Sequence, residues 1–208
     1  MMHVGWQERA RDLLYKHWGH AVLRPLQLEA ISCALHGRDC LVIAPTGAGK
    51  SVCYQLPPLL TGKPSVIVTP LVALMQDQVA SATSRGLRAT FLGASQRDGT
   101  MEARAAAGEF DLVYVTPEKL ASAGGRELLG RLHDKRGIGL LAVDEAHCVV
   151  SWGFDFRPSF LADRLGCQEY LSWPSQRRPL RRCVRNSVSA CVCALKRLAS
   201  RLLSTDPT

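Results

Sequence analysis

No stretch of this sequence is apolar for anything near the roughly 18 residues that a bilayer-crossing helix needs, so neither a membrane span nor a membrane partner is expected. The opening MMHVGWQERARDLLYKHW carries acids early and has no hydrophobic segment of the kind found in secretory signals. Paired C-x-x-C spacing is missing as well. Cys183, Cys191 and Cys193 lack it, so no zinc site is expected. Cys33, Cys40, Cys53 and Cys148 stand singly in or beside apolar segments, which suits buried thiols in a reducing compartment. Acids are scarce only at one end. Residues 168–208 hold eight Lys and Arg against two acids, while residues 1–167 hold 18 against 16. The net charge of +8 therefore belongs mostly to the tail, and bulk charge says little about what the front of the chain binds. There is no internal repeat.

What is present is an alternation. Short runs rich in Val, Ile and Leu at 39–44, 65–69, 89–93, 111–116 and 139–144 read as strands buried on both faces of a parallel sheet. Helical patterns separate them at 25–36, 49–56 (closed by Pro57-Pro58), 71–85, 102–107 and 125–133, and another precedes them at 6–16. The order implies an α/β fold with right-handed βαβ units. After Cys167 the chain turns Arg- and Ser-rich, with one helical pattern at 189–203 and no strand expected to continue the sheet.

Two segments carry chemistry. APTGAGKS (44–51) follows a strand and opens a helix, fitting the phosphate-loop pattern except that Ala44 replaces the first glycine. Thr46, Gly47, Ala48 and Gly49 would turn backbone N–H groups towards a phosphate. Lys50 would reach the β- and γ-phosphates, and the Ser51 hydroxyl would bind Mg²⁺. The second is Asp144-Glu145, at the end of the apolar run GLLAVD and followed by Trp152, Phe154, Phe156 and Arg157. Asp144 is placed to hold the Mg²⁺ through water, and Glu145 to act as catalytic base on the water that attacks the γ-phosphate.

Together the motifs resemble one family. VIAPTGAGKSVCYQLP, VIVTPLVALMQDQV, VYVTPEKL and LAVDEAHCVVSWGFDFRPSF resemble motifs I, Ia, Ib and II of the RecQ family of superfamily-two DNA helicases, and WGHAVLRPLQLEAI (18–31) resembles its motif 0. The resemblance covers about residues 6–165. It implies a RecA-like lobe, parallel sheet with helices on both faces, in an ATP-dependent 3′-to-5′ DNA helicase of recombination and repair. On this pattern Gln27 pairs with the adenine edge and Arg24 stacks on the base. His20 and Leu23 replace an aromatic pair, and hydroxyls around Thr69, Pro70 and Thr116 hold DNA phosphates. Trp152, Phe154, Asp155, Phe156 and Arg157 form the loop that contacts single-stranded DNA, and His147 relays that contact to the ATP site. Phe154 stands where relatives have His.

Several expectations follow. Residues 1–24 form an N-terminal helix and the start of the adenine motif, 25–165 the ATP-binding lobe, and 166–208 a basic, poorly ordered tail. ATP and Mg²⁺ are the cofactors and single-stranded or forked DNA the partner, in the nucleus of a eukaryote or the nucleoid of a bacterium. A second lobe, with its arginine finger, is not recognisable after about residue 165. The alternative is a fragment that binds nucleotide or DNA without unwinding.

Overall fold

The computed structural model describes residues 5–93, 96, 98–145 and, for the backbone alone, 188–193. Eight helices and six strands lie in these residues: α1 Trp6–Trp18, α2 Pro25–Leu35, β1 Cys40–Pro45, α3 Val52–Gln55, α4 Pro57–Thr61, β2 Ser65–Val68, α5 Val72–Ser84, β3 Ala89–Leu92, α6 Met101–Ala106, β4 Leu112–Val115, α7 Pro117–Ala121, α8 Ala123–Arg136, β5 Leu140–Val143 and β6 Val188–Cys193. One sheet runs in the order β1-β6-β5-β2-β4-β3. β2 pairs in parallel with β4 and β5, and β3 in parallel with β4.

β2, β4 and β5 are buried on both faces because their residues are apolar on both, whereas β1 and β3, also expected to be buried throughout, keep half-buried or exposed positions. Alternation then divides the core in two. Val66, Val68, Val113, Val115, Leu141 and Val143 pack with Ala105, Leu120, Leu128 and Leu132, so α6, α7 and α8 cover one face. Their neighbours Ile67, Leu112, Tyr114, Leu140 and Ala142 pack with Ala30, Cys53, Tyr54, Met75 and Ala82, so α2, α3 and α5 cover the other. α1 lies outside this second layer, burying Ala10 and Leu14 against Ile31 and Leu56. It stops at Gly19, whose left-handed φ of 70° lets its N–H return to the Tyr15 carbonyl.

Pro57-Pro58 closes the helical segment after the phosphate loop as expected, but that segment is shorter than 49–56. The helix is only Val52–Gln55, and Pro57 begins a new turn at its first position, where proline's missing N–H is not needed. The larger failure is the tail, from which no strand was expected and in which a helix was expected at 189–203. Residues 188–193 form β6, antiparallel to both neighbours, matching all six residues of β1 from Cys40↔Cys193 to Pro45↔Val188, and two of β5. The physical reason is the gap it fills. β1 and β5 lie one strand apart, and a row of unpaired backbone groups on each would be left inside the sheet. VSACVC is also a short, almost wholly apolar run of the kind a strand tolerates. The remainder of the 189–203 pattern lies outside the described residues.

Candidate nucleotide-binding site

β6 runs antiparallel to β1 and β5, so those two strands point the same way and their C-terminal ends deliver the two chemical segments to one edge of the sheet. β1 ends at Pro45 and turns through Gly47 (φ 80°) and Gly49 (φ 78°), both in left-handed backbone that a residue with a Cβ rarely adopts. Gly49 has a second reason to be glycine: a Cβ there would lie 2.6 Å from Gln27 Nε2.

The Gln27 amide closes on the loop. Its Nε2 donates to the Gly49 carbonyl at 3.0 Å, and its Oε1 accepts from the Arg24 N–H at 2.9 Å, capping α2. Arg24 Nη1 donates to the Gly47 carbonyl at 3.4 Å. These four residues, with Gly19, His20 and Val52 among others, line a cleft of about 360 Å³. The structure thus brings the two residues expected at the adenine into contact with the glycines expected at the phosphates.

The loop is also tied to itself. Lys50 Nζ donates to the carbonyls of Ala44 and Pro45, each at 3.0 Å, and the Ala48 N–H donates to Pro45 at 3.2 Å. A phosphate adds a full negative charge to what the neutral carbonyls offer the ammonium, so Lys50 is held but not committed. Ser51 precedes α3 without capping it. With only four residues, α3 contributes less dipole to the site than the expected 49–56 helix.

Asp144 follows β5 and is buried, its N–H donating to the Val68 carbonyl at 2.8 Å. Oδ1 accepts from the Glu145 N–H at 3.0 Å, and Oδ2 accepts from the Tyr54 hydroxyl at 2.9 Å. Glu145 has φ 53°, the sole positive value at a non-glycine among the described residues. Such a conformation costs about 1–2 kcal/mol and turns the half-buried Glu145 sharply away from the strand direction.

The sequence reading missed Tyr54 and its neighbours. Tyr54 is fully buried, its ring edge-on to Tyr114 at 6.4 Å between centroids. Gln55 Nε2 donates to the Tyr114 hydroxyl at 3.1 Å. Burial pushes the Tyr114 phenol up, keeping it protonated and able to bond the Tyr54 hydroxyl.

Thr69 and Thr116, expected near DNA phosphates, are both buried, and the Thr116 hydroxyl accepts from the Lys119 N–H as the cap of α7. Cys53 is buried, its thiol pushed up to about 12 by that burial; Cys33 and Cys40 are half-buried, and none of the three is in a disulfide. His147, Trp152, Phe154, Asp155, Phe156 and Arg157 lie outside the described residues.

Residues 24–179 match the DEAD/DEAH box helicase family. The chain belongs to that family. It is 43% identical over 155 residues to the ATP-dependent DNA helicase Q-like SIM of Arabidopsis thaliana, covering 74% of this chain and 18% of that protein. To the bifunctional 3′-5′ exonuclease/ATP-dependent helicase WRN of Mus musculus it is 40% identical over 150 residues, covering 72% and 10%. To the ATP-dependent DNA helicase RecQ of Pasteurella multocida it is 37% identical over 157 residues, covering 74% and 24%. The chain therefore spans a quarter or less of the length of these relatives. The lobe is of the RecQ type. Two solved helicases share the fold. The DUF1998 helicase MrfA bound to DNA and AMPPNP has a TM-score of 0.52 at 22% identity, over 67% of this chain and 21% of that one. A hypothetical ATP-dependent RNA helicase from Sulfolobus tokodaii has 0.51 at 21% identity, over 76% and 46%.

Proposed function

We propose that this helicase-family chain is the ATP-binding motor lobe of a RecQ-type, 3′-to-5′ DNA helicase that serves recombination and repair. The observation that carries the reading is the convergence of Gln27, the glycine loop with Lys50, and the Asp144-Glu145 pair at one edge of one sheet. On this reading Arg24 and Gln27 receive the adenine. Thr46, Gly47, Ala48 and Gly49 cradle the phosphates, and Lys50 leaves the Ala44 and Pro45 carbonyls to pair with them.

The donor set suits magnesium. Asp144 presents a carboxylate with one hydrogen bond on each oxygen and a lone pair remaining on each, and Ser51 offers a hydroxyl; hard oxygen donors of this kind are what Mg²⁺ takes. Bound there with the nucleotide, the ion would supply charge neutralisation at the phosphates. Glu145 accepts a proton from the attacking water, a role for which its turned-out backbone suits it.

The aromatic segment from Trp152 to Arg157 is assigned to single-stranded or forked DNA, with about 1–3 kcal/mol per stacked base, and His147 to coupling. The cell compartment is then the nucleus or nucleoid. The test joins this chain to a second motor lobe. Glu145→Gln should abolish DNA-stimulated ATP hydrolysis there and leave ATP binding intact; full hydrolysis in that variant rules Glu145 out as base.

One observation favours a second reading. The chain spans only 10–24% of the relatives' length, and the described residues form a single sheet with one set of phosphate-binding groups. As it stands, it would bind nucleotide or DNA without unwinding.

A further inference from the structure

We propose that Tyr54 is a positioning residue of this site: its hydroxyl fixes the Asp144 carboxylate for the magnesium–nucleotide complex, and Tyr114 and Gln55 hold that hydroxyl in place. The proposal rests on the reading of Asp144 as the metal carboxylate. Tyr54 lies on α3, three residues after Ser51, yet its partner is 90 residues away on the far side of the gap between β1 and β5. A phenol has one proton to give, and the 2.9 Å bond gives it to Asp144 Oδ2. Since Oδ1 is held by the Glu145 N–H at 3.0 Å, the carboxylate is pinned at both oxygens and cannot rotate without breaking a bond.

The Tyr54 hydroxyl is not merely filling space. It sits at the centre of an otherwise apolar layer, where Phe would avoid the cost of burying an oxygen. Tyr114, on β4, hydrogen-bonds the Tyr54 hydroxyl, and Gln55 Nε2 donates to Tyr114 at 3.1 Å. Gln55 does this while its own Oε1 stays buried without a partner, so its orientation favours the tyrosine over its own full satisfaction. The chain Gln55–Tyr114–Tyr54–Asp144 thus crosses three elements and ends on the carboxylate. Groups that hold a metal-binding carboxylate in this way govern metal affinity, with losses of about 10–100-fold on their removal.

The experiment titrates the full 208-residue chain with a fluorescent ATP analogue over a magnesium series, and again with EDTA. Tyr54→Phe should raise the half-saturating magnesium about tenfold and leave metal-free nucleotide affinity unchanged, a split that a general packing defect does not produce. Tyr114→Phe should move the magnesium value the same way by less, and Asp144→Asn should remove the magnesium dependence. An unshifted magnesium value in Tyr54→Phe, with the dependence lost in Asp144→Asn, overturns the proposal and leaves the Asp144 reading standing. If Asp144→Asn has no effect, that reading fails and the proposal falls with it. Should Tyr54→Phe not fold, Tyr114→Phe decides, an unshifted magnesium value there again overturning the proposal.

Discussion

Glu145 combines a proposed chemical duty with a backbone conformation that suits glycine, and the two demands can be separated. At φ 53° a glycine avoids the clash between Cβ and the backbone. Glu145→Gly should therefore raise stability by about 0.5–1 kcal/mol, less any interaction the glutamate side chain loses, while removing the proposed base. Thermal melting checks this, and a loss of several degrees would show that the side chain holds the turn. The phosphate loop and the acidic pair were legible in the sequence because each is a local spacing that a few neighbouring residues define. Arg24 and Gln27 were legible through resemblance, and the structure adds what resemblance did not supply, the contact with Gly47 and Gly49. Tyr54 was not legible. Its meaning depends on a partner 90 positions away, and nothing in VCYQ distinguishes a tyrosine that holds a carboxylate from one that fills a core.

At the scale of elements, β2, β4 and β5 were legible because burial on both faces leaves an apolar run with no polar alternation to confuse it, and β1 and β3 because their runs are apolar although they are only partly buried. β6 was not, because its state is decided by a gap in a sheet formed far earlier in the chain. Ending the chain at residue 187 should unpair the whole of β1 and part of β5. We expect a loss of about 3 kcal/mol, or about 6–12 °C in melting midpoint, with association through the open edges. An unchanged midpoint would mean that β6 contributes nothing to the sheet. The join between β4 and α8 makes a separate prediction. Arg136 donates to the carbonyls of Gly62, Gly108 and Phe110 and to Asp111, which also pairs with Arg88 at 2.7 Å. Burial alone would raise the Asp111 carboxyl, but the hydrogen bonds and charges of the two arginines outweigh it and hold it below the usual carboxylate value. Because the folded value is the lower one, the stabilisation is present above about pH 4 and is lost as pH falls through the folded value. Asp111→Asn should cost about 2 kcal/mol at neutral pH, and the difference from wild type should shrink below about pH 4. Denaturant unfolding at both pH values measures it; a difference independent of pH would remove the charge from the explanation.

For the molecule as a whole, the proposed function gives this chain one grip on nucleotide and one on DNA. Unwinding by a two-lobed motor needs ATP to bind between lobes so that their closing moves one grip against another. This chain alone should not separate a 3′-tailed duplex. ATP-dependent separation by a homogeneous sample, abolished in Lys50→Ala, would contradict that expectation. Nucleotide binding comes before unwinding: on the proposed function, the cleft beside Gln27 and the glycine loop binds Mg²⁺-ATP, and Lys50 leaves its carbonyls for the phosphates. Calorimetric titration of the full chain with Mg²⁺-ATP tests this most directly. Binding should be measurable, and Lys50→Ala should weaken it by about 1.5–3 kcal/mol, tenfold or more. Equal affinity in wild type and Lys50→Ala would contradict this.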